Sequence, residues 1–228
     1  MRTIAVLVFL AFISCHSETD PAPVIPAKAT FSGEINMVNY DLTESDSGYV
    51  NLDSTLVWGP NLTGLGTKDS TTWLVGLYFG GFRVNSPAGY PKNSIQVNLV
   101  KRFPISQLTL INGTYKMSES QFASILSVGL KTFSLNYQTQ DGIFIQWYDA
   151  NGLLWTSNRY LRVGSSSTIP VIPNYSNASF KIDKSIRLEP GNLTCKQYVE
   201  TSFSCTLYNM AGDSLLLSNC KLNGTYRI

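Results

Sequence analysis

From Thr30 to the C-terminus the chain is written almost throughout in period two, as short stretches of alternating, β-branched or aromatic residues cut by Gly, Asn, Asp and Pro. Successive side chains of a strand point to opposite faces, so this pattern commits the chain to sheets. It predicts strands over 30–38, 49–58, 72–84, 94–103, 108–116, 132–138, 143–148, 153–157, 179–188, 195–208 and 214–228. About ten to eleven strands at this spacing indicate an all-β fold, an antiparallel β-sandwich.

One stretch departs from the pattern. Ser118-Glu119-Ser120-Gln121 is a capping-box sequence, Phe122, Ile125 and Leu126 then share a helical face, and Gly129 can close the turn. One short helix is therefore expected at about 118–128. Asp141-Gly142 and Asn151-Gly152 lie between apolar runs, the strongest local hairpin signal, and make 132–157 a meander. Within it, Trp147 and Trp155 fall on one face across the second turn. Residues 164–177 mix Ser, Pro and Asn without period and read as a long mobile loop, the one loop long enough to suspect of function.

The N-terminus carries an address. Arg2 precedes an apolar run from Ile4 to Ile13, too short for a bilayer core that needs about 20 apolar residues and suited to a signal peptide. Phe12-Ile13-Ser14-Cys15 resembles a bacterial lipobox, with Phe where Leu is usual. The resemblance implies that residues 1–14 are a lipoprotein signal peptide and that Cys15 becomes acylated. Two or more acyl chains hold a protein on a membrane stably. Residues 15–27 are polar and then proline-rich and form a flexible tether. Residues 28–228 are then a single domain, long enough to bury one good core.

Composition excludes several chemistries. The formal net charge is +2, from 17 basic and 15 acidic residues, which leaves no basic footprint for nucleic acid. The single histidine, His16, lies in the tether, so Ser-His-Asp and Cys-His mechanisms and His-ligated metals are not expected. No P-loop, dinucleotide fingerprint or paired CxxC occurs. The expectation is a non-enzyme without cofactor or metal. Asp41, Glu44, Asp46 and Asp53 are oxygen-rich, but their spacing fits no EF-hand and reads as a solvated acidic loop. The remaining acidic residues are scattered, mostly at turns, which argues against the carboxylate pair of a glycosidase. Trp147 and Trp155 are candidate stacking platforms for a sugar ring, although cross-strand core packing is the preferred reading of the same pair.

Of the four cysteines, Cys15 is assigned to lipid, leaving Cys195, Cys205 and Cys220. If Gly212-Asp213 forms the turn of the last hairpin, Ala211 faces Ser214 and Cys205 faces Cys220, a candidate disulfide in an exported compartment. A slip of one residue instead leaves both thiols packed as small core residues. Cys195 then reads as a buried thiol.

The segment 203–228, with Ser179-Phe180-Lys181-Ile182 and Asn112-Gly113-Thr114-Tyr115, resembles an uncharacterised family of Bacteroidota lipoproteins over about residues 30–228. Cys220 and Leu222 stand where that family more often has Gly and Phe. The resemblance implies one β-sandwich behind a lipobox, a lipid-anchored cell-envelope protein acting as a non-catalytic binding or structural accessory. It brings no catalytic or ligand residue with it. Glu18 and Asp20, soon after Cys15, are similar to that phylum's signal for display on the outer face of the outer membrane, so surface exposure is favoured over a periplasmic position. Two alternatives stay open: a carbohydrate-binding or carbohydrate-active protein linked to glycan uptake, and a surface-fibre subunit. The partner is a glycan or another envelope protein, and the fibre reading rests on the strand that ends at Ile228, since edge strands accept further chains.

Overall fold

Alternation along each strand is what builds the domain, because it gives every strand one face to bury. The computed structural model describes residues 24–26, 28–44, 49–58, 70–81, 92–111, 114–135, 140–163, 167–171, 173, 175–188 and 196–227; for 49–58, 70–81, 159–163, 167–171 and residues 92, 114 and 227 only the backbone is described. The elements are β1 (Thr30–Ile35), β2 (Val38–Thr43), β3 (Tyr49–Trp58), β4 (Ser70–Gly81), β5 (Lys92–Pro104), β6 (Thr109–Ile111), β7 (Thr114–Lys116), α1 (Glu119–Ile125) and β8 (Gly129–Leu130). They continue with β9 (Gly142–Tyr148), β10 (Leu154–Thr156), β11 (Arg159–Val163), β12 (Ser167–Val171), β13 (Ser179–Arg187), β14 (Lys196–Tyr208) and β15 (Ser214–Arg227).

Eleven strands form one antiparallel sheet, whose main path runs β2-β1-β15-β14-β10-β9-β5-β4-β3. Its corner is β14. There β13 covers the free edge from Gln197 to Ser204, while β10 takes the same edge at Tyr208 through Thr156. One branch continues as β13-β8 and the other swings away as β10-β9-β5-β4-β3, which returns β3 and β4 against β15. The result is a sandwich made by one sheet rolled over itself, as the strand pattern indicated.

Aromatic rings fill the space between the layers. Tyr175 stacks on Phe133 with centroids 5.2 Å apart, Phe133 meets Phe180 edge-on at 6.4 Å, and Phe180 stacks on Phe203 at 5.5 Å. Phe203 then meets Phe31, Phe31 meets Trp147 and Trp147 meets Tyr40, at 6.4, 6.4 and 5.1 Å. Each such pair contributes about 0.5–1.5 kcal/mol beyond the area it buries. Ile95, Val97 and Leu99 of β5 and Ile143 and Ile145 of β9 complete the floor from the opposite layer.

The helix forms as expected. Ser118 Oγ accepts from the Gln121 amide at 3.2 Å and Gln121 Oε1 accepts from the Ser118 amide at 2.7 Å, a complete capping box. Phe122, Ile125 and Leu126 are all buried.

Several expectations need correction. The segment 30–38 is two strands, because the chain reverses at Asn36 and Met37 with φ of +50° and +67°. Both central residues of such a two-residue turn must be left-handed, a role that Asn accepts and Met does not advertise. Within 164–177, Ser167–Val171 is a strand paired with Arg159–Val163. The expected strand at 132–138 reduces to one parallel bridge between Phe133 and Ile143, with 136–139 outside the described residues. Asp141-Gly142 is accordingly not a hairpin turn: the Ile143 amide donates to Thr132 O and the Ser134 amide to Ile143 O, so the two segments run side by side. The C-terminal strand β15 is paired on both sides over Leu217–Asn223, by β1 and β14, and Ile228 lies outside the described residues. Residues 1–14 and Cys15 lie outside the described residues.

Gly33 holds the tightest contact of the first layer. Register shifts at Gly33 between β1 and β15, and at Ser204 between β14 and β15, bring these strands together beside Cys220. With φ at +155°, a Cβ on Gly33 would sit 2.7 Å from Cys220 Sγ and 2.8 Å from its Cα. Gly33→Ala is therefore expected to destabilise the domain by about 2–4 kcal/mol, from overpacking plus backbone strain. Equilibrium urea unfolding checks this, and an unchanged midpoint would refute the close approach.

Candidate functional site

Two hairpin loops are built alike from Asx chemistry. Asp149 Oδ1 accepts from the amides of Asn151 and Leu153 at 2.8 and 2.9 Å, and Asn209 Oδ1 accepts from those of Ala211 and Asp213 at 3.0 and 2.9 Å. Gly152 and Gly212 take φ of +81° and +93°, which closes each five-residue loop. The first loop sets Trp155 directly opposite Trp147, on one face as expected, but through the five-residue loop that Asp149 caps; a two-residue Asn151-Gly152 turn would have set Trp147 against Thr156.

The second loop overturns the expected cysteine register. It runs from Asn209 to Asp213, so Tyr208 faces Ser214 and Cys205 faces Leu217; beyond the bulge Cys220 faces Phe203. Gly212-Asp213 fails as the turn because Asn209 recruits the whole five-residue loop. Cys205 and Cys220 are free, buried thiols. Burial pushes both thiols up, Cys220 to about 12 with help from the Glu34 carboxylate, and both are unreactive in that state. Cys195 and Cys15 lie outside the described residues.

Three tips gather at one end of the sandwich. Ile35 pairs with Leu217, Tyr208 with Ser214, and Thr156 with Tyr208, which places the Asn36-Met37 turn beside the loops 209–213 and 149–153. Met37, Val38, Leu153, Met210 and Leu216 are exposed there. Apolar side chains concentrated at one end mark an interaction surface more readily than scattered ones do. Tyr40 and Trp155 are half-buried against the core at this end, and Trp155 Nε1 donates to Asp149 Oδ2 at 3.2 Å. Trp147 takes the core-packing place that was the preferred reading of this pair, not the stacking one. It is 1 % exposed, enclosed by Phe31 and Tyr40, and has no face left for a ligand. Tyr40, not singled out in the sequence, stands nearer to the role foreseen for Trp147; the unforeseen turn at Asn36-Met37 is what brings it there.

The opposite end receives the N-terminal segment. Thr30 pairs with Thr43 and Asn223, its amide donates to Asn223 Oδ1 at 3.1 Å, and the Ala29 amide donates to Glu44 Oε2 at 3.0 Å. Glu44 thus fastens the start of β1. Asp41 is exposed on β2, while Asp46 and the Asp53 side chain lie outside the described residues.

A third feature is a cleft of about 270 Å³ between α1 and the ends of β5 and β9. Lys101, Lys131, Thr132 and Asp141 line it, over Leu99 and Ile143. Lys101 Nζ and Asp141 Oδ2 form an ion pair at 2.6 Å, and Asp141 Oδ1 accepts from the Arg102 amide at 3.0 Å. Lys131 Nζ donates to Ser127 Oγ at 2.9 Å, its amide to Phe180 O, and burial lowers its pKa. No local pattern in the sequence announced Lys131, since it sits in an irregular link between β8 and β9.

Among the described residues, no helix is long and apolar enough to cross a membrane, and no three His, Cys, Asp or Glu side chains gather as a metal site. Compared with protein families, characterised proteins and solved structures, the chain gives no significant match.

The thiols supply a direct check. Treating the native protein with a maleimide and then mapping peptides is expected to leave Cys205 and Cys220 unmodified until denaturant is added. A peptide pair linked through these two cysteines would contradict the free, buried state.

Proposed function

We propose that this chain is a lipid-anchored lipoprotein of the cell envelope, serving as a non-catalytic binding or structural accessory on the outer membrane, with its tips directed away from the lipid. The single observation that carries the reading is polarity. The N-terminal segment joins the sandwich at the end where β1 begins, and the exposed apolar tips with Tyr40 and Trp155 occupy the other. From Cys15 to Ala29 the chain reaches at most about 50 Å when extended. Such a tether holds the tips clear of a bilayer and leaves the domain free to turn. An acyl anchor at Cys15 supplies membrane attachment without any apolar surface on the domain. The tips are then available to a partner.

Within this reading, a sugar-binding role is favoured by one detail, the half-buried Trp155 whose indole is fixed by Asp149 beside the Asx-built loops. Amphipathic rings held at low entropic cost make effective contacts for glycans and proteins alike.

Two measurements test the proposal. Cys15→Ser is expected to move the protein from the membrane fraction to the soluble one, and unchanged partitioning would rule out the anchor. The whole chain in detergent, applied to a glycan array, is expected to bind through its tips, with Trp155→Ala losing about tenfold or more in affinity. A blank array rules out the glycan arm and leaves a protein partner as the one to seek.

A further inference from the structure

The cleft at the foot of α1 belongs to neither the tips nor the anchor, and its charges do not cancel. The Asp141 carboxylate is already committed, one oxygen to the Lys101 ammonium and the other to the Arg102 amide. Lys131 is the second cation of the same cleft, and among the described residues its ammonium meets one hydroxyl, that of Ser127. An ammonium has three N–H donors, so two remain for other acceptors. Partial burial makes its charge harder to carry without a counter-ion, and the lowered pKa expresses that cost. At the bottom of the cleft Leu99 and Ile143 are almost wholly buried and close it off from the core, and the Thr132 backbone is pinned there by Ile143.

Backbone packing is tight beside the cleft. Gly142 at φ +139° lets the strand pass so near its neighbour that a Cβ there would lie 2.7 Å from Ser134 N and 2.8 Å from Thr132 O. The volume, about 270 Å³, is below the usual range for drug-sized ligands and suits a single small ring.

We propose that this cleft binds a small carboxylate on a hydroxylated ring, an acidic sugar of the uronic acid class, with the Lys131 ammonium as its counter-ion. The carboxylate takes the two spare donors of Lys131, the ring lies in the cleft between α1 and the strand ends, and the Lys101–Asp141 pair stands beside the ring hydroxyls as both donor and acceptor. This site is independent of the tip surface, so either can fail without the other.

The whole chain in detergent, with lysines labelled at Cε, is titrated with galacturonate and with galactose while the Lys131 signal is followed across pH. Galacturonate is expected to shift Lys131 saturably and raise its pKa, whereas galactose leaves both unchanged. Lys131→Gln is expected to weaken galacturonate binding about tenfold or more, and Lys184→Gln, on the surface of β13, to leave it unaltered. Should Lys131→Gln lower the unfolding midpoint, Lys131→Arg decides, and it is expected to keep binding within a few-fold. Equal responses to the two sugars, no response to galacturonate, or binding that survives Lys131→Gln would each overturn the proposal.

Discussion

The contact between Phe31 and Trp147 is where one sheet becomes a sandwich. Phe31 belongs to β1 and Trp147 to β9, strands separated by three others along the sheet, and their rings meet across the core at 6.4 Å. Hydrogen bonding alone would leave the path β2-β1-β15-β14-β10-β9 as an open ribbon. The turn at β14, where β10 bonds only through Thr156, is a weak hinge without the rings that fill its inner side. Gly33 serves the same contact from behind, since its bulge lets β1 and β15 come together beside Cys220 while Phe31 stays inward. The polarity of the molecule also follows from it: once the layers face each other, the three hairpin tips share one end and the start of β1 the other.

Much of the fold was legible because strands and caps are local matters. The alternation in Ser94 to Phe103 and Ile143 to Tyr148 identifies β5 and β9 directly, and Ser118 with Gln121 announces the helix. Asn151-Gly152 marked the reversal, while the direct Trp147 and Trp155 pairing comes from the five-residue loop that Asp149 caps. What stayed hidden were choices that depend on competition. Asn36-Met37 reverses the chain without a glycine, so the period-two pattern ran through it unbroken. In the last hairpin, Gly212-Asp213 looked like a two-residue turn, but Asn209 captures two amides and lengthens the loop, which moves Cys205 away from Cys220 in register. At Asp141-Gly142 the carboxylate is drawn to Lys101 and Arg102 instead of capping its own turn. The candidate sites were less legible still, since Tyr40 and Lys131 gain meaning only from strands far away in sequence.

The two candidate surfaces divide the chemistry of the molecule. At the tips, apolar side chains and one indole are held out on Asx-built loops, a rigid display in which little entropy remains to be lost on binding. At the cleft, a half-buried ammonium faces a small enclosed volume, which favours a small anion over a large partner. Neither surface shares a side chain with the anchor proposed at Cys15. The proposed arrangement keeps attachment, display and small-ligand recognition in separate parts of the chain.

The interlayer contact is tested most directly by a double-mutant cycle in equilibrium unfolding, with Phe31→Leu, Trp147→Phe and the pair together. These conservative changes keep the core filled while altering the ring contact. Since the two rings touch across the layers, the expected coupling is about 0.5–1.5 kcal/mol. Effects that simply add, within about 0.3 kcal/mol, would mean that the layers do not meet there and would contradict the rolled sandwich.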